Sequence, residues 1–228
     1  MCGRFAFYSP HEAVTRLFGV ADAPPIEPRY NIAPTQFIAT VRETGGPREV
    51  AMLSWGLVPS WAKDKSIGAR MINARAETLA EKPSFRNAYR RRRCLVLADG
   101  YYEWQRSGAV KQPCFISFEG GEPFGMGGLW ERWRDPSSGE LLESCCIVTT
   151  TPSPPVLHVH DRMPVIVPPS AYSEWLDPKN EATERLGRLL APCVLPGLQA
   201  RPVGRRVNDA RNQGPDLIEP AGNRSNDQ

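Results

Sequence analysis

The chain of 228 residues is 41% hydrophobic and 23% charged, which is ordinary for a soluble globular protein and excludes a wholly disordered chain. Its net charge of +3 is unevenly divided: residues 1–93 carry 15 basic and 8 acidic side chains, and residues 94–228 carry 13 and 17. No apolar run approaches the roughly 18 residues of a membrane helix, and none follows Arg4 as in a signal peptide, so we expect a soluble protein of the cytoplasm or nucleoid.

Short strands dominate the elements that the hydrophobic pattern predicts. Ser9, Pro10 and Glu12 predict a capped helix start, and Gly19 predicts its end. Loops are expected at residues 21–35 and 56–75. Short helices are expected at residues 77–80, 84–91, 171–176 and 181–190. Strands are expected at residues 37–41, 50–55, 94–98, 101–105, 114–118, 123–129, 142–150, 164–167 and 198–203.

This pattern predicts one α+β domain over residues 1–220, with residues 221–228 as a disordered polar tail. The domain is expected to have curved, antiparallel-rich β-sheets or an irregular barrel, flanked by short helices. The basic first half suits a polyanionic partner, although four consecutive arginines at residues 90–93 are equally typical of a solvated charged face.

Common cofactor motifs are absent from the sequence. There is no glycine-rich phosphate loop, so no nucleotide cofactor is expected. His158 and His160 lack an obvious third ligand, and none of the six cysteines forms a CxxC pair, so no metal is expected. Without a secretory signal disulfides are not expected, and Cys94, Cys114, Cys145 and Cys146 are interpreted as inert core thiols.

Cys2 is the cysteine with the most distinctive chemistry. A small residue at position 2 permits removal of Met1, which would place an α-amine and a thiol on adjacent carbons. The amine has a pKa near 8, so part of it is neutral at physiological pH, and the thiol is a strong nucleophile. This pair suits an aldehyde: the amine forms an imine, and the sulfur then closes a thiazolidine ring. The alternative is that Cys2 is simply an early residue of a strand.

Three further segments are polar where a core strand would be apolar. Asn73 and Arg75 are two residues apart and share a face if the chain is extended. Glu103 lies among aromatic residues, where desolvation would raise its pKa toward acid–base use. His160 begins a short loop that also carries an acid and an arginine. Each taken alone has a structural interpretation as well, as an edge charge or a hydrogen-bonded core residue.

Taken together, seven segments resemble the SOS-response-associated peptidase (SRAP) family of abasic-site-processing proteins. They occur in family order and span nearly the whole chain. They are MCGRF at 1–5, RYNIAP at 29–34, WGLVPSW at 55–61, INARAE at 72–77, ADGYYEW at 98–104, HDRMP at 160–164 and NQGPDLI at 212–218.

The resemblance implies a single SRAP-type domain that binds single-stranded DNA containing abasic sites. It implies that Cys2, freed from Met1, forms a thiazolidine with the ring-opened aldehyde of such a site. Asn73 matches the residue that positions the N-terminus, Glu103 the carboxylate that moves protons, and His160 the imidazole that opens or closes the sugar ring. We expect a monomer with no cofactor, no membrane contact and a place in the cytoplasm, associated with the nucleoid when on DNA.

The resemblance also implies DNA-binding residues. Arg4, Arg75 and Arg162 match arginines near backbone phosphates, and Pro34 and Trp61 match apolar positions that meet bases beside the lesion. Stacking on an aromatic ring is tolerant of sequence, as a lesion sensor requires.

Two other functions fit the same residues. One is an N-terminal-nucleophile hydrolase or peptidase, with Cys2 as thiolate and Glu103 or His160 as base. The other is a non-enzymatic module that binds intact and abasic single strands alike and needs no Cys2.

Overall fold

The computed structural model describes residues 2–108 and 110–222. Met1 and most of the predicted disordered tail at 221–228 therefore lie outside the described residues. The strands are β1 (Phe5–Phe7), β2 (Arg29–Ile32), β3 (Phe37–Arg42), β4 (Glu49–Trp55), β5 (Asn73–Arg75), β6 (Arg93–Ala98), β7 (Gly100–Ser107), β8 (Val110–Phe118), β9 (Phe124–Arg134), β10 (Leu141–Thr150), β11 (Met163–Pro164), β12 (Ile166–Val167) and β13 (Leu198–Pro202). The α-helices are α1 (His11–Phe18), α2 (Arg86–Arg91), α3 (Tyr172–Leu176) and α4 (Thr183–Leu190).

Two sheets organise the chain. Strands β10, β4, β3, β6 and β9 close into a barrel, because β9 pairs with β10 as well as with β6. The β4–β10 pair is parallel, and the other four pairs of the barrel are antiparallel. The second sheet has the order β13-β8-β7-β1-β2 and is antiparallel throughout. The predicted α+β class with an antiparallel-rich barrel and short helices is confirmed.

Strand β10 changes partners halfway along its length. Ser144 and Cys145 pair with β4, whereas the following residues from Ile147 to Thr149 pair in parallel with β5. On its other side, β10 passes from β9 to β11. Because of this exchange, β5 and the loop that leads into β11 meet at one end of the barrel. Both segments carry predicted site residues.

The segment at residues 56–75 is more ordered than the predicted loop. It contains a 3-10 helix at Lys65–Arg70 as well as β5. Gly56 has a φ of 137°, and a Cβ at this position would lie 2.6 Å from the carbonyl oxygen of Gly68. Only glycine permits this close approach of two main chains.

The predicted cap of the first helix is wrong. The helix α1 begins at His11 with Pro10 as its N-cap, and no side chain caps it. Ser9 instead donates a hydrogen bond from its hydroxyl to the buried Asp99 carboxylate, which also accepts from the Ser9 N–H at 2.9 Å. The Ser9 side chain, which the local sequence assigns to helix capping, thus bonds instead to a carboxylate that is distant in sequence.

The four arginines at residues 90–93 do not form a free basic patch. Arg90 and Arg91 both pair with Glu181, at 3.0 and 2.9 Å, and Arg92 pairs with Glu131 at 2.7 Å. Arg93 is almost completely buried. Both acids come from the second half of the chain, so folding offsets part of the charge difference between the halves here.

The buried Arg93 caps two helices at once. Its guanidinium lies 5.9 Å from the centre of the Trp175 ring. It donates hydrogen bonds of 2.5 to 3.1 Å to the main-chain carbonyls of Tyr89, Arg90, Trp175, Asp177 and Asn180. Several of these carbonyls belong to the last turns of α2 and α3. Carbonyls in the last turn of a helix have no donor within that helix.

We expect Arg93→Met to lower the free energy of unfolding by about 3–5 kcal/mol, because it leaves buried carbonyls without donors. Urea unfolding measures this loss. Arg91→Gln is the matched control, since its exposed ion pair contributes about 0–1 kcal/mol. Equal stability of the two variants would contradict the capping role of Arg93.

Candidate active site

Cys2 is held at the end of the barrel by Asn73. The Asn73 side-chain amide donates a 2.7 Å hydrogen bond to the Cys2 carbonyl. Asn73 begins β5, and Cys2 precedes β1, which pairs with both β2 and β7. The bond thus joins the two sheets at the N-terminus of the chain. It brings together two residues that are 71 positions apart in sequence.

The Cys2 thiol is completely buried, with 0% of the residue exposed. Burial raises the pKa of the Cys2 thiol, and the negative charge of Glu103 raises it further. That effect requires Glu103 to lie within electrostatic range of the thiol. Both effects disfavour the thiolate form, on which low-pKa catalytic cysteines depend.

Glu103 faces His160. The Glu103 side chain is 4% exposed, and its Oε2 lies 3.8 Å from His160 Nε2. Burial raises the pKa of the Glu103 carboxyl above its ordinary value, and a positive charge on His160 lowers it. The two residues form an acid–base pair whose members come from β7 and from the loop before β11.

The loop around His160 determines the orientation of the imidazole. The Arg162 main-chain N–H donates to His160 Nδ1 at 3.0 Å, which favours the tautomer with its proton on Nε2, toward Glu103. Asp161 Oδ1 lies 2.9 Å from the same Nδ1, and its side chain is 88% exposed. A protonated His160 can donate to Asp161 instead, so both charge states of the ring have a partner.

The Arg162 side chain is engaged within the protein. Its guanidinium makes two bonds to the Glu77 carboxylate, at 2.6 and 3.0 Å, and one to the Thr149 carbonyl at 2.5 Å. These bonds tie the His160 loop to β10 and to the segment after β5. A phosphate contact by Arg162 therefore requires competition with Glu77, whose pKa Arg162 lowers. Arg75, in contrast, is exposed, and it lies on the same face of β5 as Asn73.

Arg4 is also engaged within the protein. It donates to the Asn31 side-chain oxygen at 2.7 Å and to the Val207 carbonyl at 2.9 Å. Asn31 is completely buried, and its amide donates to the Val207, Asp209 and Asn212 carbonyls. Arg4 and Asn31 thus tie the start of β1 to the C-terminal segment. The predicted phosphate contact of Arg4 stays a prediction.

Trp61 stands on the surface on an anchored turn. It is 59% exposed. The turn is closed by the Ala62 N–H, which donates to the Pro59 carbonyl at 2.9 Å, and the Ala62 carbonyl accepts from the buried Trp133 indole at 2.7 Å. An exposed ring on a fixed turn can stack on a base without losing internal contacts.

Pro34 lies in a strained turn between β2 and β3. The next residue, Thr35, has a φ of 71°, which is unfavourable for a β-branched side chain. The turn is held by Thr35, whose N–H donates to the Trp55 carbonyl at 2.8 Å. The predicted contact of Pro34 with a base stays a prediction.

A surface depression leads to the acid–base pair. Its volume is about 370 Å³, and it is lined by Glu103, Trp104, Arg106, Lys111, His160 and Asn208. Of these six residues, only Glu103 and His160 are predicted from sequence as site residues. The others come from strand pairing and from the C-terminal segment, which a single sequence does not reveal. Glu77, which pairs with Arg162, is not among the predicted site residues, although it lies in the INARAE segment at 72–77.

Four predicted site residues lie together: Asn73 is bonded to Cys2, Glu103 is paired with His160, and the charge of Glu103 acts on the Cys2 thiol. Arg162 adjoins this cluster through its main chain. None of the helices in the described part of the chain has the length and apolar character that crossing a membrane requires.

Several curated proteins are similar to this chain over nearly its whole length. YoqW of Bacillus subtilis, named an abasic site processing protein, is 42% identical over 223 residues, which are 96% of this chain and 99% of YoqW. YedK of Escherichia coli, with the same descriptive name, is 32% identical over 96% of this chain and 100% of its own length. HMCES of Rattus norvegicus is 31% identical and covers 97% of this chain and 76% of its own length.

Solved structures have the same fold. A crystal structure of a protein from Bacteroides thetaiotaomicron superimposes with a TM-score of 0.84 at 25% identity, over 96% of this chain and 100% of that one. Another, from Bordetella bronchiseptica, has a TM-score of 0.75 at 26% identity, over 89% and 100%. The sequence profile described as SOS response associated peptidase (SRAP) matches residues 1–210. The chain belongs to the SRAP family.

Proposed function

We propose that this protein captures abasic sites in single-stranded DNA as a covalent adduct on Cys2, in the DNA damage response. The observation that carries the proposal is the hydrogen bond from Asn73 to the Cys2 carbonyl. The Glu103–His160 pair supplies acid and base groups for the same site. Relatives named abasic site processing proteins support the substrate class.

The proposed chemistry balances with the loss of one water. After removal of Met1, the Cys2 amine attacks the aldehyde carbon of the ring-opened sugar, and a proton passes to the oxygen. The resulting hydroxyl leaves as water and an imine forms. The sulfur then bonds to the imine carbon, and the thiol proton passes to the nitrogen, which gives a thiazolidine. Each step moves a proton near one carbon, and an acid–base pair beside it lowers the barrier.

The site residues divide these roles. Asn73 holds the Cys2 carbonyl and so orients the amine and thiol. Glu103, with its raised pKa, retains a proton for the departing hydroxyl. His160 Nε2 faces Glu103 and, in the tautomer with its proton on Nε2, donates that proton and takes one back as the sugar ring opens and closes. Cys2 supplies the sulfur that closes the ring, and its complete burial keeps this step away from water.

The raised pKa of Cys2 argues against a thiolate hydrolase, the first alternative. The two functions differ in turnover: a hydrolase or peptidase releases product repeatedly, whereas the adduct consumes one chain per site. The second alternative, a binding module without chemistry, predicts no covalent product. A denaturing gel of the protein mixed with an abasic oligonucleotide separates all three. A band of one protein per oligonucleotide supports the proposal, and its absence contradicts it.

Removal of Met1 is part of the proposal, because a retained Met1 makes the Cys2 nitrogen an amide. Intact-mass spectrometry of the adduct fraction should find only chains without Met1. Adducts on chains that retain Met1 would exclude the thiazolidine.

We expect Arg75→Gln to weaken binding to intact single strands and to reduce the slope of log affinity against log salt by about 0.7, the contribution of one neutralised phosphate. Arg16→Gln, on the exposed side of α1, removes the same charge as a control. Arg162→Gln should change the slope less, since Glu77 already neutralises Arg162. Fluorescence anisotropy between 50 and 200 mM salt measures all three. Equal slopes for the Arg75 and Arg16 variants would exclude a phosphate contact by Arg75.

A further inference from the structure

Two cations face each other at the edge of the depression that leads to Glu103 and His160. Arg106 on β7 is the register partner of Lys111 on β8, directly across the hairpin. Residues opposite each other in an antiparallel pair have Cβ atoms about 4.5–5.5 Å apart, and like charges in this position destabilise the pair. Both residues are exposed.

In the described part of the chain, this repulsion is not compensated by an ion pair. Within residues 2–108 and 110–222, neither Arg106 nor Lys111 has an ion-pair partner. In the arginine run at 90–92, by contrast, every arginine forms an ion pair with a glutamate. Two opposed cations without an acidic partner create a local positive potential that favours a bound anion.

The position of the pair relates it to the proposed chemistry. Strand β1 pairs with β7 only near Tyr101 and Tyr102, so the β7 edge beyond Glu103 is not covered by β1. The depression lies here and contains both the cations and the acid–base pair. Trp104 lies between them along β7, and its indole N–H is fixed by a 2.8 Å bond to Asn208 Oδ1.

We propose that Arg106 and Lys111 bind a backbone phosphate of the DNA strand next to the nucleotide that occupies the Glu103–His160 site. The inference rests on the proposed function and adds a direction for the strand, along the β7–β8 hairpin past Trp104. A guanidinium and an ammonium across one phosphodiester supply charge-assisted hydrogen bonds from two sides.

The first test compares two double variants that remove the same charge. Arg106→Gln/Lys111→Gln should reduce the salt slope for intact single-stranded DNA by about 0.7, the contribution of one neutralised phosphate, and the affinity near 0.1 M salt by roughly five-fold. Its melting temperature should stay equal or rise, because repulsion is removed. Arg90→Gln/Arg91→Gln is the control, and we expect its slope to stay close to that of the unmodified protein. Equal slopes for the two variants would overturn the inference.

The second test locates the phosphate. Oligonucleotides that carry an abasic site and one uncharged methylphosphonate linkage, moved along the strand, are bound to each protein. One linkage beside the abasic site should weaken binding to the unmodified protein and have no further effect on the Arg106→Gln/Lys111→Gln variant. If the effect of each linkage on binding is the same for the unmodified protein and for the double variant, the assignment is contradicted.

The two proposals fail separately. If the unmodified protein forms no covalent adduct, the proposed function fails, while the slopes on intact DNA still report on the cation pair. If the adduct forms and the double variant keeps the full slope and the same methylphosphonate profile, only the present inference is overturned.

Discussion

Cys2→Ala is expected to abolish the denaturation-resistant adduct with abasic single-stranded DNA. The variant keeps an α-amine after Met1 removal but lacks the sulfur that closes the ring. An imine forms reversibly and is lost under denaturing conditions, whereas the thiazolidine is retained. Gel electrophoresis with and without borohydride measures the difference: the variant should give a band only after reduction.

The control for this experiment is Cys193→Ala, which removes an exposed thiol. We expect it to form the adduct like the unmodified protein. A stable adduct on Cys2→Ala without borohydride would exclude the thiazolidine and assign the bond to another residue. Because Cys2 is buried, the melting temperature of Cys2→Ala is measured as well, so that a folding defect is recognised.

Glu103→Gln is expected to slow adduct formation by about 10²–10⁴-fold, the usual contribution of a positioned acid or base. Glutamine preserves the size of the side chain but cannot transfer a proton. Single-turnover crosslinking at saturating DNA measures the rate, and anisotropy with intact DNA measures affinity. Affinity should stay within a few-fold. His160→Ala is expected to slow adduct formation or reversal while binding is kept.

The rate of adduct formation is expected to fall as pH rises through the pKa of Glu103. Burial raises the pKa of Glu103, so its protonated form persists at a higher pH than for an exposed carboxyl. The part of the rate that needs this acid is complete below the raised pKa and falls as pH increases through it. Glu103→Gln should remove this part of the profile, whereas Glu119→Gln, at an exposed position, should keep it.

A structural role for Glu103 and His160 makes a different prediction. Their variants would lose melting temperature and DNA affinity together, and the rate at saturation would not change. Unchanged rates of formation and reversal in both variants would remove the acid–base assignment.

The sequence alone was sufficient for the family, the fold class and the four residues that form the cluster. No single segment was sufficient, because the MCGRF start and the carboxylate, amide and imidazole groups each have a structural interpretation too; the seven segments in family order carried the prediction. Periodicity identified most strands, because each alternates or is continuously buried. The interpretation of Cys94, Cys114, Cys145 and Cys146 as core thiols agrees with their burial.

Sequence by itself determined which groups this protein has for chemistry, but not which of its charges are free, because pairing depends on contacts between distant segments. Only the tertiary structure shows that Glu181 and Glu131 pair with three arginines of the run, and that Arg93 is buried as a helix cap. Register across the β7–β8 hairpin likewise places Arg106 opposite Lys111 without an acid. The electrostatic energy of a charge depends on distance and burial, and both are properties of the folded chain.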